Sequence, residues 1–341
     1  MKREVWLFCL GGILLISLFF GCILVGAVAI PPSEVFAILA GSSPQESYLS
    51  VIVLQSRLPM AVTAACCGAC LSVAGLLMQT LFQNPLAGPS VLGISSGASL
   101  GVAVIMLASG ALAFGGSAFQ PLLAVVGALV GAGAVMLLLF LFSSVLRSAV
   151  SLLIVGVMIG YVCSSGISLL NYFSPAEGVR SYLVWGLGSF TALRLSQSLW
   201  LAVLGMAVLL PSMLLVKPLD ALLLGESYLS SVGYGVRSVR GVVLVATGLL
   251  VGIPTAFCGP IGFLGLVVPH LCRLLFRSSA HGLLLPASML FGAVVGLLCA
   301  LLCVIPSASF GVLPINVITP FIGVPVILYL LVCRHRLPYF S

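Results

Sequence analysis

LPMAVTAACCGACLSVAGLLMQTLFQNPLAGPSVLGISSGASLGVAVIMLASGALAFGGSAFQPLLAVVGALVGAGAVMLLLFLFSSVL, residues 58–146, is an 89-residue run without a charged side chain. A helix crosses the bilayer hydrocarbon in roughly 20 residues, so the run has room for three crossings if it is broken twice. Gln83-Asn84-Pro85-Leu86-Ala87-Gly88-Pro89 and the stretch from Gly110 to Pro121 supply the breaks, because Gly and Pro punctuate apolar runs. The rest of the chain follows suit. Over 341 residues, 62% are hydrophobic and 6% charged, with a mean hydropathy of +1.34, far outside the range of water-soluble domains. Lipid is the solvent for such a chain.

Further charge-free stretches run over 5–33, 148–176, 195–216, 241–272 and 282–333. The first follows Lys2 and Arg3 and ends near Ala27-Val28-Ala29, but it exceeds the roughly 7 to 15 residues of a signal-peptide core, so it reads as a retained helix. The last splits at Pro306 to Asn316 into two spans. The stretch from Gly241 to Cys272 is long for one helix and short for two, with Cys258-Gly259-Pro260-Ile261-Gly262 in its middle. Charge decides between the readings. Two crossings there, with a cytoplasmic N-terminus, put Lys2, Arg3, Arg147, Lys217, Arg237, Arg240, Arg273, Arg277, Arg334 and Arg336 inside and only Arg57, Arg180 and Arg194 outside. That bias obeys the positive-inside rule, and one crossing would abolish it. The expectation is an all-α membrane protein of about ten transmembrane helices, both termini cytoplasmic, forming one polytopic domain over 1–341. The +7 net charge belongs to its cytoplasmic face and calls for no nucleic acid.

Gly75-Leu76-Leu77, Gly88-Pro89 and Leu92-Gly93 are echoed by Gly248-Leu249-Leu250, Gly259-Pro260 and Leu264-Gly265. The echo is short, and recurrent Gly packing between helices accounts for it equally well. It nevertheless falls on spans 2 and 3 against 7 and 8, which run in opposite senses, as an inverted repeat of spans 2–5 and 7–10 requires. Paired Gly/Pro-interrupted helices point to a transporter's pathway.

Several chemistries are absent from the sequence. All six carboxylates fall in expected loops or at the N-terminus, which counts against an ion-coupled secondary transporter with a buried acid. ATP hydrolysis would need a phosphate-binding loop ending in Lys then Ser or Thr, whereas Lys2 precedes Arg3 and Lys217 precedes Pro218. Gly93-Ile94-Ser95-Ser96-Gly97 formally matches a nucleophile elbow, but His270, His281 and His335 fall at cytoplasmic helix ends with no membrane-buried acid. An intramembrane serine hydrolase is therefore a distant third reading. The eleven cysteines, Cys66, Cys67 and Cys70 among them, have neither zinc-ligand spacing nor a disulfide framework.

Arg57-Leu58-Pro59, the run from Gly75 through Gln79, Asn84 and Pro89, and Leu92 to Ala98 together resemble the permease subunits of the iron-chelate (siderophore or haem) and cobalamin ABC importers. Gly259 to His270 with Arg273, Leu284 to Ser288, Leu313-Pro314 through Pro325, Trp185 to Ser189 and Leu224-Gly225-Glu226 extend the match, in order, over essentially the whole chain. The resemblance implies a type II importer in a bacterial inner membrane. Two copies of the permease line one route, two ATP-binding subunits using ATP and Mg2+ dock inside, and a substrate-binding protein docks outside. The permease binds no cofactor and is not an enzyme.

Carried onto this sequence, the resemblance makes Asn84 and Leu86 part of the cytoplasmic gate. Pro85 agrees in outline, since it lacks a donor and frees backbone groups that need protein or water. A second gate is implied at Ser148-Ala149-Val150-Ser151, with Ala149 and Val150 standing where relatives carry small hydroxyl residues. Gln79, an amide at membrane depth, either lines the pathway or bonds a neighbouring helix. Residues 217–239 are too polar to span yet hold helical runs broken at Gly225 and Gly233, and the resemblance makes them, with Asp220, Gly225, Glu226 and Gly233, the cytoplasmic coupling helix pair that enters a cleft in the ATP-binding subunit. Arg57, Arg180 and Arg194 are the outward cations expected to meet the binding protein.

Overall fold

The computed structural model describes residues 2–41, 48–108, 120–146, 148–305 and 311–333, and among them every regular element is a helix. Arg147, Arg334, His335 and Arg336, named above, lie outside the described residues, as does Glu46, one of the six carboxylates. Among the described residues, seven helical runs are long and apolar enough to cross a membrane. They are α1 (Lys2–Leu24); α3 (Tyr48–Ile52) continuing through a π-helical turn (Val53–Arg57) into α4 (Leu58–Leu81); α6 (Gln120–Val145); α7 (Ala149–Phe173); α9 (Leu195–Ser212) running on into α10 (Val216–Leu223); α12 (Val236–Cys258); and α14 (His281–Val304). Three further apolar helices are shorter: α5 (Ile94–Ala108), α13 (Leu264–Phe276) and the apolar part of α15 (Ile315–Cys333). They stand where the sequence places its third, eighth and tenth spans. The remaining pieces, α2 (Pro32–Leu39), α8 (Ala176–Gly186) and α11 (Glu226–Ser231), are too short to cross.

The helix α4 is apolar all round and buried all round, the pattern of a central element. In its spanning window 89% of residues are buried, against 17% in α1 and in α7, so α4 is the axis and α1 and α7 are left facing outward. Burying leucine gains little over lipid, so membrane helices associate through close backbone packing at small residues. A Cβ on Gly68 would overlap the Gly292 carbonyl, one on Gly296 the Ala64 carbonyl, and one on Gly75 the Gly265 carbonyl. These contacts lock α14 and α13 onto α4. Gly97 and Gly101 against Gly131 and Gly127 do the same for α5 and α6.

The charges separate to the two ends of this bundle. Arg3, which donates to the Leu275 carbonyl at 3.0 Å, lies with Lys217, Arg237, Arg240, Arg273 and Arg277 at the end where α4 finishes. Arg57, Arg180 and Arg194 lie at the end where α4 begins. The four carboxylates expected in loops and described here, Glu34, Glu177, Asp220 and Glu226, stand on the short helices α2, α8, α10 and α11 instead. Each of these helices is held by tertiary contacts that local composition does not reveal.

Candidate translocation pathway and coupling segment

The two interrupted elements meet beside the middle of α4. Before α5, the chain turns at Gly93 (φ +74), which lies so close to Gly156 and Gly160 of α7 that a side chain there would clash. Before α13, it turns at Phe263, whose φ of +67 is strained for an aromatic residue by about 1–2 kcal/mol. The Phe263 ring lies against Gly323 of α15. Between the two turns is a cavity of about 160 Å³, bounded by Gly88, Pro89, Ser90 and Ser95 on one side and by Ile261, Gly262, Gly265 and Leu266 on the other. Both segments of the weak internal echo line it, and both short helices start at its wall.

One end of the cavity is closed by the turn that follows α4, and that turn is held from two sides. Gln83 adopts φ +46, and the Asn84 side-chain oxygen accepts the Leu86 backbone N–H at 2.9 Å, an Asx turn. The Pro85 carbonyl accepts a hydrogen bond from His270 Nε2 at 2.7 Å. Because a carbonyl only accepts, this nitrogen must carry the proton. From the other side, Gln83 Nε2 donates to the Leu222 carbonyl of α10 at 3.0 Å. Leu86 is 49% exposed and contributes to the cavity wall.

Gln79 does not face an open route. It is 3% exposed, donates through Nε2 to the Leu266 carbonyl at 3.2 Å and accepts from Arg273, so its amide joins α4 to α13. Of the two readings open for it, the interhelical bond is the one realised.

The polar segment breaks at its two glycines. Gly225 (φ +106) separates α10 from α11, and this backbone region is closed to side-chain-bearing residues at any reasonable cost. Gly233, with φ +94, ends the turn after α11. α10 begins at Val216, as a continuation of α9, and α12 begins at Val236. Asp220 reaches from α10 to the start of α14, where one carboxylate oxygen accepts from the His281 backbone N–H and from its Nδ1, each at 2.8 Å. It therefore caps a helix to which it does not belong. The His281 ring, 1% exposed, then meets Thr80 Oγ1 in the last turn of α4 at 2.7 Å. Glu226 pairs with Arg240, which is 5% exposed and also donates to the Leu146 carbonyl at 3.4 Å. Leu146 follows the last residue of α6, just before the second expected gate. There Ser148 is extended (φ −99, ψ 133), α7 starts at Ala149, Val150 is 60% exposed and Ser151 is half-buried. The turn after α4 and the end of α6, next to the two stretches expected to act as gates, are thus each bonded to the same polar segment.

At the opposite end, the docking role expected of Arg57 is overturned. Its guanidinium is buried and donates to the carbonyls of Ile23 and Leu24 at 2.9 Å and to that of Val28, so it caps the C-terminus of α1. A buried, fully engaged cation cannot reach a soluble partner. Arg180 and Arg194 are exposed and remain available.

Known proteins place this architecture. The profile of the FecCD transport family matches residues 13–333. The chain belongs to the FecCD transport family. It is therefore a multi-pass membrane permease, a transporter component rather than an enzyme, of the type found in cobalamin or metal-chelate ABC importers. Among similar proteins, the vitamin B12 import system permease protein BtuC of Salmonella paratyphi A is 38% identical over 287 residues, 84% of this chain and 85% of the relative. BtuC of Escherichia coli O127:H6 is 35% identical over 335 residues, 97% of this chain and 96% of the relative. A solved structure described as an inward-facing conformation of a metal-chelate type ABC transporter superposes with a TM-score of 0.76 at 29% identity, covering 88% of this chain and 99% of that one.

Four residues of this FecCD permease that organise the site carried no assigned role in the sequence reading. Gln83 and His270 hold the turn after α4, and His281 joins α10 to α4. Asn316 bonds the Pro260 carbonyl at 2.6 Å, the Gly186 carbonyl at 3.4 Å and the Gly262 N–H at 3.2 Å, fixing the loop that forms one cavity wall. A polar side chain isolated in an apolar stretch was the available signal for Asn316.

Proposed function

We propose that this chain is the route-forming permease of an ATP-driven importer, and that it takes a cobalamin-type ligand or an iron chelate, siderophore or haem, from a substrate-binding protein. The observation that carries this reading is the tie between both gate turns and one polar segment: Gln83 to Leu222 on one side, Leu146 through Arg240 to Glu226 on the other. A push on α10 and α11 from a docked subunit would reach Asn84 and Leu86 through the first tie and Ser148, Ala149, Val150 and Ser151 through the second. Residues 217–239, with Asp220, Gly225, Glu226 and Gly233, form the coupling segment in this scheme.

In the full assembly, ten spans cross a bacterial inner membrane with both termini cytoplasmic. The positive-inside rule favours that orientation, since the end of the bundle carrying the coupling segment also carries Lys217, Arg237, Arg240, Arg273 and Arg277. Two permease copies flank the pathway. Two ATP-binding subunits supply the hydrolysis of Mg2+-bound ATP, and the permease itself holds no cofactor. The binding protein docks on the opposite end, near Arg180 and Arg194. The relatives named for vitamin B12 import favour a corrinoid, and the metal-chelate transporter favours a chelate; the binding protein does most of the selecting.

The test is coupling. Glu226→Ala in the reconstituted transporter is expected to leave ATP hydrolysis running while uptake falls. Glu226 also balances buried Arg240, and although Glu226 itself is 40% exposed, removing it strips a buried cation of its countercharge and weakens the fold locally. Glu226→Gln, which keeps an acceptor but loses the charge, is therefore the milder test variant, expected to stay folded and still to lower uptake while hydrolysis persists. Full uptake in membranes that lack every partner ATPase would end the proposal.

A further inference from the structure

A cavity of about 990 Å³ opens between the C-terminal ends of α6 and α9 and the first half of α12. It shares no wall with the cavity of the interrupted helices. Its lining is graded along α12. Arg237 and Ser238 stand where the helix begins, and Val245 and Leu249 mark the far, apolar end, opposite Phe140 and Ala207. From Gly235 to Leu249 the wall rises about 21 Å at roughly 1.5 Å per residue. One leaflet, taken as half of a bilayer of about 40–45 Å including headgroups, has the same depth.

Charge selects the headgroup. Arg237 is exposed, while the acids nearby in the coupling segment are already engaged, Asp220 by His281 and Glu226 by Arg240. The cation at the cavity mouth is joined by the N-terminal N–H groups of a 23-residue helix. An apolar groove one leaflet deep, with a cation and a hydroxyl at its polar end, matches the shape and charge of a phospholipid with an anionic headgroup.

We propose that this groove binds one anionic phospholipid from the leaflet on the coupling side. Its acyl chains lie between α6, α9 and α12, and its phosphate lies at Arg237 and Ser238. Because α12 follows directly on α11, the bound lipid braces the helix that carries Arg240, and so the Glu226 tie. The lipid becomes a structural part of the coupling end. This inference needs only the membrane reading and is independent of which substrate moves.

The experiment is native mass spectrometry of the full-length permease released from bilayers of equal phosphatidylglycerol and phosphatidylethanolamine. Phosphatidylglycerol is expected to be retained over phosphatidylethanolamine. Arg237→Ala should lower that retention about fivefold, the worth of one cation near an anionic lipid surface, and Arg237→Lys should restore it. Ala246→Trp, which fills the groove, should abolish retention of both lipids; if it does not fold, the exposed Arg237 variants carry the test alone. Equal retention of the two lipids by the unmodified chain, unchanged retention in Arg237→Ala, or a second protein chain in the groove in place of lipid would overturn the proposal.

Discussion

Replacing Asp220 by Ala tests the tie between the coupling segment and the bundle at its best-defined point. One oxygen of Asp220 accepts two hydrogen bonds, from the His281 backbone N–H and from Nδ1, each at 2.8 Å. A hydrogen bond to a charged group is worth about 1.5–3 kcal/mol net, and with the side chain 42% exposed the lower end applies. The same carboxylate sits at the start of α14, where a negative charge contributes roughly 0.3–1 kcal/mol. Because both bonds share one carboxylate oxygen they are counted once at that lower end, and with the helix-start contribution the sum is about 2 kcal/mol, a factor of about 30 in the ratio of docked to released α10 at 1.4 kcal/mol per tenfold. Asp220→Asn keeps an acceptor for the N–H and loses only the charge, so about 1 kcal/mol is expected. Hydrogen exchange of the reconstituted transporter reads this directly: protection of residues 216–223 and of the first turn of α14 should fall about 30-fold in Asp220→Ala and about fivefold in Asp220→Asn, while α1 is unchanged. Transport per ATP hydrolysed should fall in the same order. Unchanged protection of residues 216–223 in the Ala variant, or an equal loss in α1, would refute the reasoning.

Arg57→Ala should lower stability by about 3 kcal/mol, because a buried cation with bonds to three carbonyls is removed, and thermal unfolding in detergent measures the loss. Affinity for the binding protein should not follow Arg57, whereas Arg180→Glu combined with Arg194→Glu should weaken it. Gly75→Ala should cost more than about 4 kcal/mol, or prevent folding, since the new Cβ would overlap the Gly265 carbonyl of a packed neighbour. Gly262→Ala, whose Cβ would meet open space, should be tolerated. Melting temperatures of the pair check both expectations.

What was legible in the sequence were the features that act locally. Gly and Pro at 82–93 and 259–263 interrupt helices because of their own backbone chemistry, so the unusual starts of α5 and α13 followed from the residues themselves. Gly225 and Gly233 broke the polar segment for the same reason. Arg57 failed because its place before a span fixes where its Cα lies but not where its guanidinium turns, and its acceptors lie at the end of α1 and just beyond it, 29 to 34 residues earlier. Gln79 was ambiguous because its partner Arg273 is 194 residues away. Where the polar segment joins the preceding span was not legible: α10 runs on from α9, and Pro218, Leu219, Ala221 and Leu222 form a buried face against the bundle. Polar residues bonded across the fold carry no local pattern, which is why His270, His281 and Asn316 had to be found in three dimensions.

The most direct test of an ATP-driven route is uptake into proteoliposomes that hold this permease with its ATP-binding subunit and binding protein, measured with corrinoid and iron-chelate ligands. Accumulation should require internal ATP, ignore imposed proton and sodium gradients, and fall in Glu226→Gln while hydrolysis persists. Accumulation without ATP, driven by an ion gradient, would contradict it.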